Sequence, residues 1–204
     1  MSQSTEDTWS SYYKATANYP PRETLTKALE FFDAEKSEHP RRAIDLGCGA
    51  GVDTRELLRR GWDVLAIDQQ REAIESITAS IPAEAKERLQ TQITSFDQVE
   101  LVPCVLITAS YSLPFCPPAQ FTAFWEKIVT ALQVTGRFAG HFFGVRDTWA
   151  STSPDMTFHT SEQVNELLTS FEIEYLSENE EDGQTALGQP KHWHVFSVVA
   201  RKRL

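Results

Sequence analysis

Short apolar runs separated by longer stretches of helical periodicity set the rhythm of this chain. Residues 43–46, 62–68 and 104–109 are rich in Val, Ile, Leu and Ala, the pattern of strands buried on both faces of a parallel sheet. Around them lie amphipathic segments. Residues 22–36 put Leu25, Ala28, Leu29 and Phe32 on one helical face after the breaker Pro20-Pro21. Residues 52–60 turn Leu57 and Leu58 inward and stop at Gly61, and residues 69–80 bury Ala73, Ile74 and Ile77 before Pro82. A short strand near 89–94, a helix over 121–132 and a strand over 136–143 continue the alternation. Thr160-Ser161-Glu162-Gln163 has capping-box spacing and predicts a helix over 161–169. Residues 171–176 and 194–200 read as closing strands. The acidic run 178–183 between them reads as a solvated loop with no helix, so these two strands are expected to pair antiparallel. The expectation is a single α/β domain with a seven-stranded, mostly parallel sheet and helices on both faces.

The junction between the first strand and its helix carries the chemistry. Ala43-Ile44-Asp45-Leu46 leads into Gly47-Cys48-Gly49-Ala50-Gly51, three glycines at alternate positions. Their missing Cβ atoms let the backbone turn sharply and let a ligand lie against it. The dinucleotide fingerprint G-x-G-x-x-G would need glycine where Val52 stands, which weakens the case for NAD or FAD. The second strand ends in Asp68, at the carboxyl edge of the sheet beside the glycine turn, where a carboxylate can accept from both hydroxyls of a ribose. Plainer readings stay open: Asp45 as a strand-end turn residue, Asp68 as a cap for the following helix, and Cys48 as a small filler.

The stretch Asp45-Leu46-Gly47-Cys48-Gly49-Ala50-Gly51 with Asp68 resembles the glycine motif and ribose acid of the class I S-adenosylmethionine-dependent methyltransferases. The resemblance implies a Rossmann-like methyltransferase fold with strand order 3-2-1-4-5-7-6 and S-adenosylmethionine as cofactor. It further implies that Asp45, Gly47, Cys48, Gly49 and Gly51 run along the methionyl part, that Asp68 holds the ribose, and that Gln69 flanks the adenine. Ser95 and Phe96, after the third strand, fall where such enzymes contact adenine. Ala109 and Tyr111, at the end of the fourth strand and in its loop, fall where the family faces the reactive methyl group. The family's N-P-P-Y or D-P-P-Y loop is absent, since this chain has Ser110-Tyr111-Ser112-Leu113 there, and methylation of DNA adenine or protein glutamine loses support. Residues 1–40 are expected to form a helical cap or lid on a methyltransferase domain of residues 41–204, with Tyr12, Tyr13 and Arg22 reaching the cofactor carboxylate. The carboxyl half resembles the small bacterial methyltransferases grouped with tellurite resistance, which implies a small and soft acceptor.

Composition narrows the partners. A net charge of −10 repels phosphate backbones and anionic lipid, which argues against nucleic acid or a membrane surface and for a small-molecule substrate. Three cysteines without a C-x-x-C pair, and no signal-peptide pattern, fit a reducing cytoplasm. No run reaches the roughly 20 apolar residues of a membrane span, and no metal-ligand spacing is present. Methyl transfer from a sulfonium needs alignment and exclusion of water more than a nucleophilic side chain. Tyr111 and Phe115 can wall the sulfonium, and His141, at the end of the fifth strand, is the first choice of general base, with His192 and His194 behind it. His39 is expected at the surface. The rival to an enzyme is a catalytically silent cofactor-binding protein of the same fold.

Overall fold

The computed structural model describes residues 5–35 and 40–204, so His39 lies outside the described residues. Among the described residues one sheet holds β1 (Arg42–Leu46), β2 (Asp63–Asp68), β3 (Leu89–Ile93), β4 (Cys104–Ala109) and β5 (Leu132–Gly144), all parallel. A two-residue strand, β6 (Phe158–His159), adds to β5 in parallel. The long hairpin of β7 (Phe171–Gln184) and β8 (Pro190–Lys202) closes the sheet, with β8 antiparallel to both its neighbours. The order is β3-β2-β1-β4-β5-β8-β7. With the small β6 set aside, this is the arrangement implied by the resemblance, and β8 is the one reversed strand.

Helices cover both faces, as a sheet apolar on both sides requires. On one face α2 (Glu23–Glu35), α3 (Val52–Arg59) and α4 (Arg71–Ser80) bury Leu25, Leu29, Leu57 and Ile77 against Ala43, Val64 and Val199. On the other, α5 (Pro118–Ala131) and α6 (Ser161–Leu167) bury Phe124, Trp125, Ile128 and Val164 against Ile44, Ile107, Phe138 and Phe196. The α6 capping box is formed: Thr160 Oγ1 accepts from the Gln163 N–H and the Gln163 side chain accepts from the Thr160 N–H. One further helix, α1 (Thr5–Thr16), lies across the carboxyl edge of the sheet. No helix among the described residues is long and apolar enough to cross a membrane.

The acidic run is not a loop. Residues 178–183 belong to β7 and pair with residues 191–196 of β8. Three carboxylates of the run meet a base: Glu178 accepts from Arg146, at 2.9 Å, and contacts His194, while Glu180 accepts from Arg146 at 2.7 Å and contacts His192, which also meets Asp182. Opposite charges across a ladder favour the strand conformation that like charges in a row would disfavour. A second unforeseen brace is Arg137 on β5. It is fully buried and donates to Glu35 of α2 and Glu174 of β7, with the Phe32 ring 4.4 Å from its guanidinium carbon.

Candidate active site

The glycine turn leaves β1 and is strapped to the end of β2. Gly47 and Cys48 both donate to the Ile67 carbonyl, at 2.8 and 3.0 Å. Gly51 takes φ 74° as the N-terminal cap of α3, where a side chain would collide with Ile77 of α4. Gly49 takes φ 50°, and the Tyr13 ring stands 3.3 Å from where its Cβ would be. Only glycine meets both demands at these positions.

Asp68 anchors the same turn from the other side. Its Oδ2 accepts from the Gly49 N–H at 2.9 Å, and its Oδ1 from the Gln70 N–H at 2.9 Å and the Tyr13 hydroxyl at 3.3 Å. Burial pushes its carboxyl pKa up, and these donors partly oppose the shift. Asp45 turns behind the glycines and accepts from Thr54 Oγ1 at 2.6 Å. Burial, with the neighbouring Asp53 carboxyl adding to it, pushes Asp45 up to about 8. Asp53, in the first turn of α3, accepts from Ser110 Oγ at 2.6 Å and from the Arg22 N–H at 3.0 Å. Three acids thus surround one glycine turn, an arrangement whose ionisation a bound cation would favour.

A cavity of about 280 Å³ opens beside the turn. It brings together Gly47, Gly49, Asp68, Gln69, Ser95, Phe96, Tyr12, Tyr13 and Tyr111. Phe96 does double duty, since it also stacks on Phe124 of the core at 4.5 Å. A second cavity, of about 600 Å³, lies under the β7–β8 hairpin and shares Trp9, Tyr12, Tyr111 and Phe115 with the first. Arg22 lines this second cavity and not the first.

The other expected residues do not reach either cavity with their side chains. Asp45 is committed to Thr54, Gly51 is packed under α4, and Ala109 is fully buried at the end of β4. Cys48 points into the core with its thiol pKa raised well above the ordinary value by burial, which makes it a small filler. His141 is 3% exposed and lies flat behind Tyr111, ring centroids 4.1 Å apart. Burial, aided by Arg22, lowers its pKa to about 3, so the ring is neutral and supports Tyr111 from behind. Tyr111 itself holds φ 59°, a conformation costly for a bulky residue and found where a side chain must be aimed. His192 and His194 pair with the acids of β7, away from the cavities.

Sequence reasoning singled out neither Asp53 nor Ser112, and placed Trp9 only within the expected lid segment. Ser112 Oγ donates to the Leu46 carbonyl at 2.5 Å and packs beneath Gly47, and Trp9 sits edge-on to Phe115 at 5.0 Å. Asp53 had a signal: an acid in the first turn of the helix that the glycines open.

Does this site fit S-adenosylmethionine? Gly47 and Gly49 leave the cradle bare, Asp68 offers acceptors for hydroxyls, and the acids favour a cationic ligand; the residues fit. Residues 43–136 match the family model described as a methyltransferase domain. The chain as a whole is similar in fold to TehB from Haemophilus influenzae, at 16% identity over 95% of this chain and 67% of that one, with a TM-score of 0.70. It is also similar to the 1,6-didemethyltoxoflavin-N1-methyltransferase of Burkholderia thailandensis, whose structure holds 1,6-didemethyltoxoflavin and S-adenosylhomocysteine: 18% identity, 97% and 86% of the two chains, TM-score 0.63. A ribosomal RNA small subunit methyltransferase C from Alcanivorax borkumensis is 38% identical over 73 residues, which span 36% of this chain and 21% of that protein.

Proposed function

We propose that this protein transfers a methyl group from S-adenosylmethionine to a small-molecule acceptor by in-line displacement, with the donor in the smaller cavity and the acceptor in the larger. The observation that carries this reading is that the two cavities meet at a common wall of Tyr111, Phe115, Trp9 and Tyr12. When bound, the donor supplies an electrophilic methyl on a sulfonium. Asp68 would accept from the ribose hydroxyls, Phe96 would lie against the adenine, and the ring faces at the shared wall would attract the sulfonium charge. Residues 1–40 would act as the lid: Tyr13 already reaches Asp68 across the cavity mouth, and Trp9 closes on Phe115. The open acceptor cavity favours an enzyme over a silent binding protein, and the charge of −10 favours a small acceptor over RNA.

The test is ligand stabilisation followed by turnover. S-adenosylhomocysteine at about 100 times its dissociation constant should stabilise the fold by roughly 2.7 kcal/mol, and NADH should not. A response to NADH with none to S-adenosylhomocysteine would falsify the cofactor assignment. A labelled methyl donor offered with thiols, selenite, carboxylic acids, phenols and small amines then locates the acceptor.

A further inference from the structure

Resting on the reading above, we infer that the acceptor is a planar aromatic or heteroaromatic molecule bearing an anionic oxygen, which Arg22 holds at the junction of the two cavities. Size comes first. A chamber of about 600 Å³ is far larger than a chalcogen oxyanion, and such an ion would be stripped of water against apolar rings with one cation to receive it.

Shape comes second. The chamber walls are aromatic faces held still. Trp149 and Trp193 meet edge to face at 5.8 Å, and Phe143 and Trp193 at 5.7 Å. Lys191 pins them: its ammonium sits 3.8 Å from the Trp149 centroid and 4.4 Å from that of Trp193, and it is locked in a buried ion pair with Asp147. Flat walls fixed in place select a flat ligand, because little side-chain entropy remains to be lost on binding.

Charge comes third. Arg22 lines the chamber with its guanidinium carbon 5.0 Å over the Tyr111 ring and 5.4 Å over Tyr19, and it makes no salt bridge among the described residues. The other charged lining residue, Glu181, is exposed on the hairpin. A guanidinium carries five N–H donors, so Arg22, stacked over Tyr111 and hydrogen-bonded to the Tyr12 side chain, keeps donors for a carboxylate, phenolate or enolate.

This class also removes the need for a base. His141 lies behind Tyr111 and touches neither cavity. An acceptor that arrives ionised brings its own lone pair. That pair forms the new oxygen–carbon bond while the carbon–sulfur bond breaks with its electrons left on sulfur. The positive charge on sulfur and the negative charge on oxygen cancel together, and no proton moves.

The test uses the full chain saturated with S-adenosylhomocysteine, probed with 2-naphthoate, its neutral counterpart 2-naphthalenemethanol, and cyclohexanecarboxylate, by calorimetry. Expected is 2-naphthoate binding about ten- to 150-fold tighter than 2-naphthalenemethanol, the range of a hydrogen bond to a charged group, and tighter also than cyclohexanecarboxylate, which keeps the charge but lacks the flat ring. Arg22→Gln should erase the preference for naphthoate over naphthalenemethanol and leave S-adenosylhomocysteine affinity unchanged, and Trp193→Leu should weaken both naphthalene compounds together. If S-adenosylhomocysteine binds and neither naphthalene compound does, or if selenite displaces 2-naphthoate and is methylated faster than any aromatic acid, the acceptor class is wrong while the methyltransferase reading stands. If Arg22→Gln instead weakens S-adenosylhomocysteine and spares the naphthoate preference, Arg22 belongs to the donor site and the inference falls. Failure of S-adenosylhomocysteine itself to bind would sink the underlying reading.

Discussion

Asp68→Asn separates the strap that Asp68 forms on the glycine turn from the ribose role proposed for it. The two oxygens of Asp68 accept from Gly49, Gln70 and Tyr13, at 2.9, 2.9 and 3.3 Å. A carboxylate offers about four lone-pair positions, which these donors and the Gln69 N–H largely fill, so a ligand hydroxyl would first displace the weakest of them, Tyr13. An asparagine of the same shape keeps one acceptor oxygen. If that oxygen stays with Gln70 and Tyr13, the amide NH2 faces the Gly49 N–H, donor against donor, at a residue only 7% exposed. Leaving that N–H unmet costs about 1–3 kcal/mol of folding stability. Losing the charged acceptor for a ribose hydroxyl costs a further ~1.5–3 kcal/mol in binding, or about ten- to 150-fold in the dissociation constant of S-adenosylhomocysteine. Calorimetric titration reads the second effect and urea unfolding the first. A variant that unfolds more easily yet binds S-adenosylhomocysteine within threefold of wild type would refute the ribose role and leave Asp68 as a strap on the glycine turn.

Two further outcomes follow from buried titrating groups. Asp45 has a folded pKa of about 8 against an unfolded 3.8, so the stability it allows is full below the lower value and is lost as pH rises through the higher one. Asp45→Asn, which keeps an acceptor for Thr54 and cannot ionise, should therefore gain in melting temperature relative to wild type between pH 5 and pH 8; a difference that does not change with pH would show that Asp45 is ionised in the fold. His141 is depressed to about 3 from 6.5, so its contribution is full above the unfolded value and is lost as pH falls below it. His141→Phe keeps a flat ring behind Tyr111, and it should soften the loss of stability between pH 6 and pH 4 while leaving the shape of the rate profile from pH 6 to 9 unchanged. A lost inflection in that profile would restore the imidazole as a general base.

The local signals in this chain were enough to define its frame. Apolar runs, helix stops at Gly61 and Pro82, and the capping box at Thr160 are short-range effects of backbone sterics and burial, and they appear in the structure within a few residues of where the pattern puts them. The glycine turn and the acid of β2 were legible for the same reason: a strand that must turn at once into a helix against a second strand leaves few choices of residue, and Gly47, Gly49, Gly51 and Asp68 meet there as expected. What pattern left undecided depended on partners far along the chain. The acidic residues of β7 read as solvated until β8 and Arg146 supply their opposite charges. Arg137 carries no local signal, and only Glu35, 102 positions away, and Glu174 make it a buried brace. His141 and Tyr111 are 30 residues apart, and only their stacking turns one into a neutral support and aims the other at the junction of two cavities. The larger cavity is drawn from α1, the β4 loop, the end of β5 and the hairpin, and its walls from Phe143, Trp149 and Trp193 carry no mark of a site in sequence, while Tyr12, Tyr111 and Phe115 do. A cavity belongs to no segment, since it is the space left when several of them pack, and so only the tertiary structure could show its size, its aromatic walls and the cation at its edge.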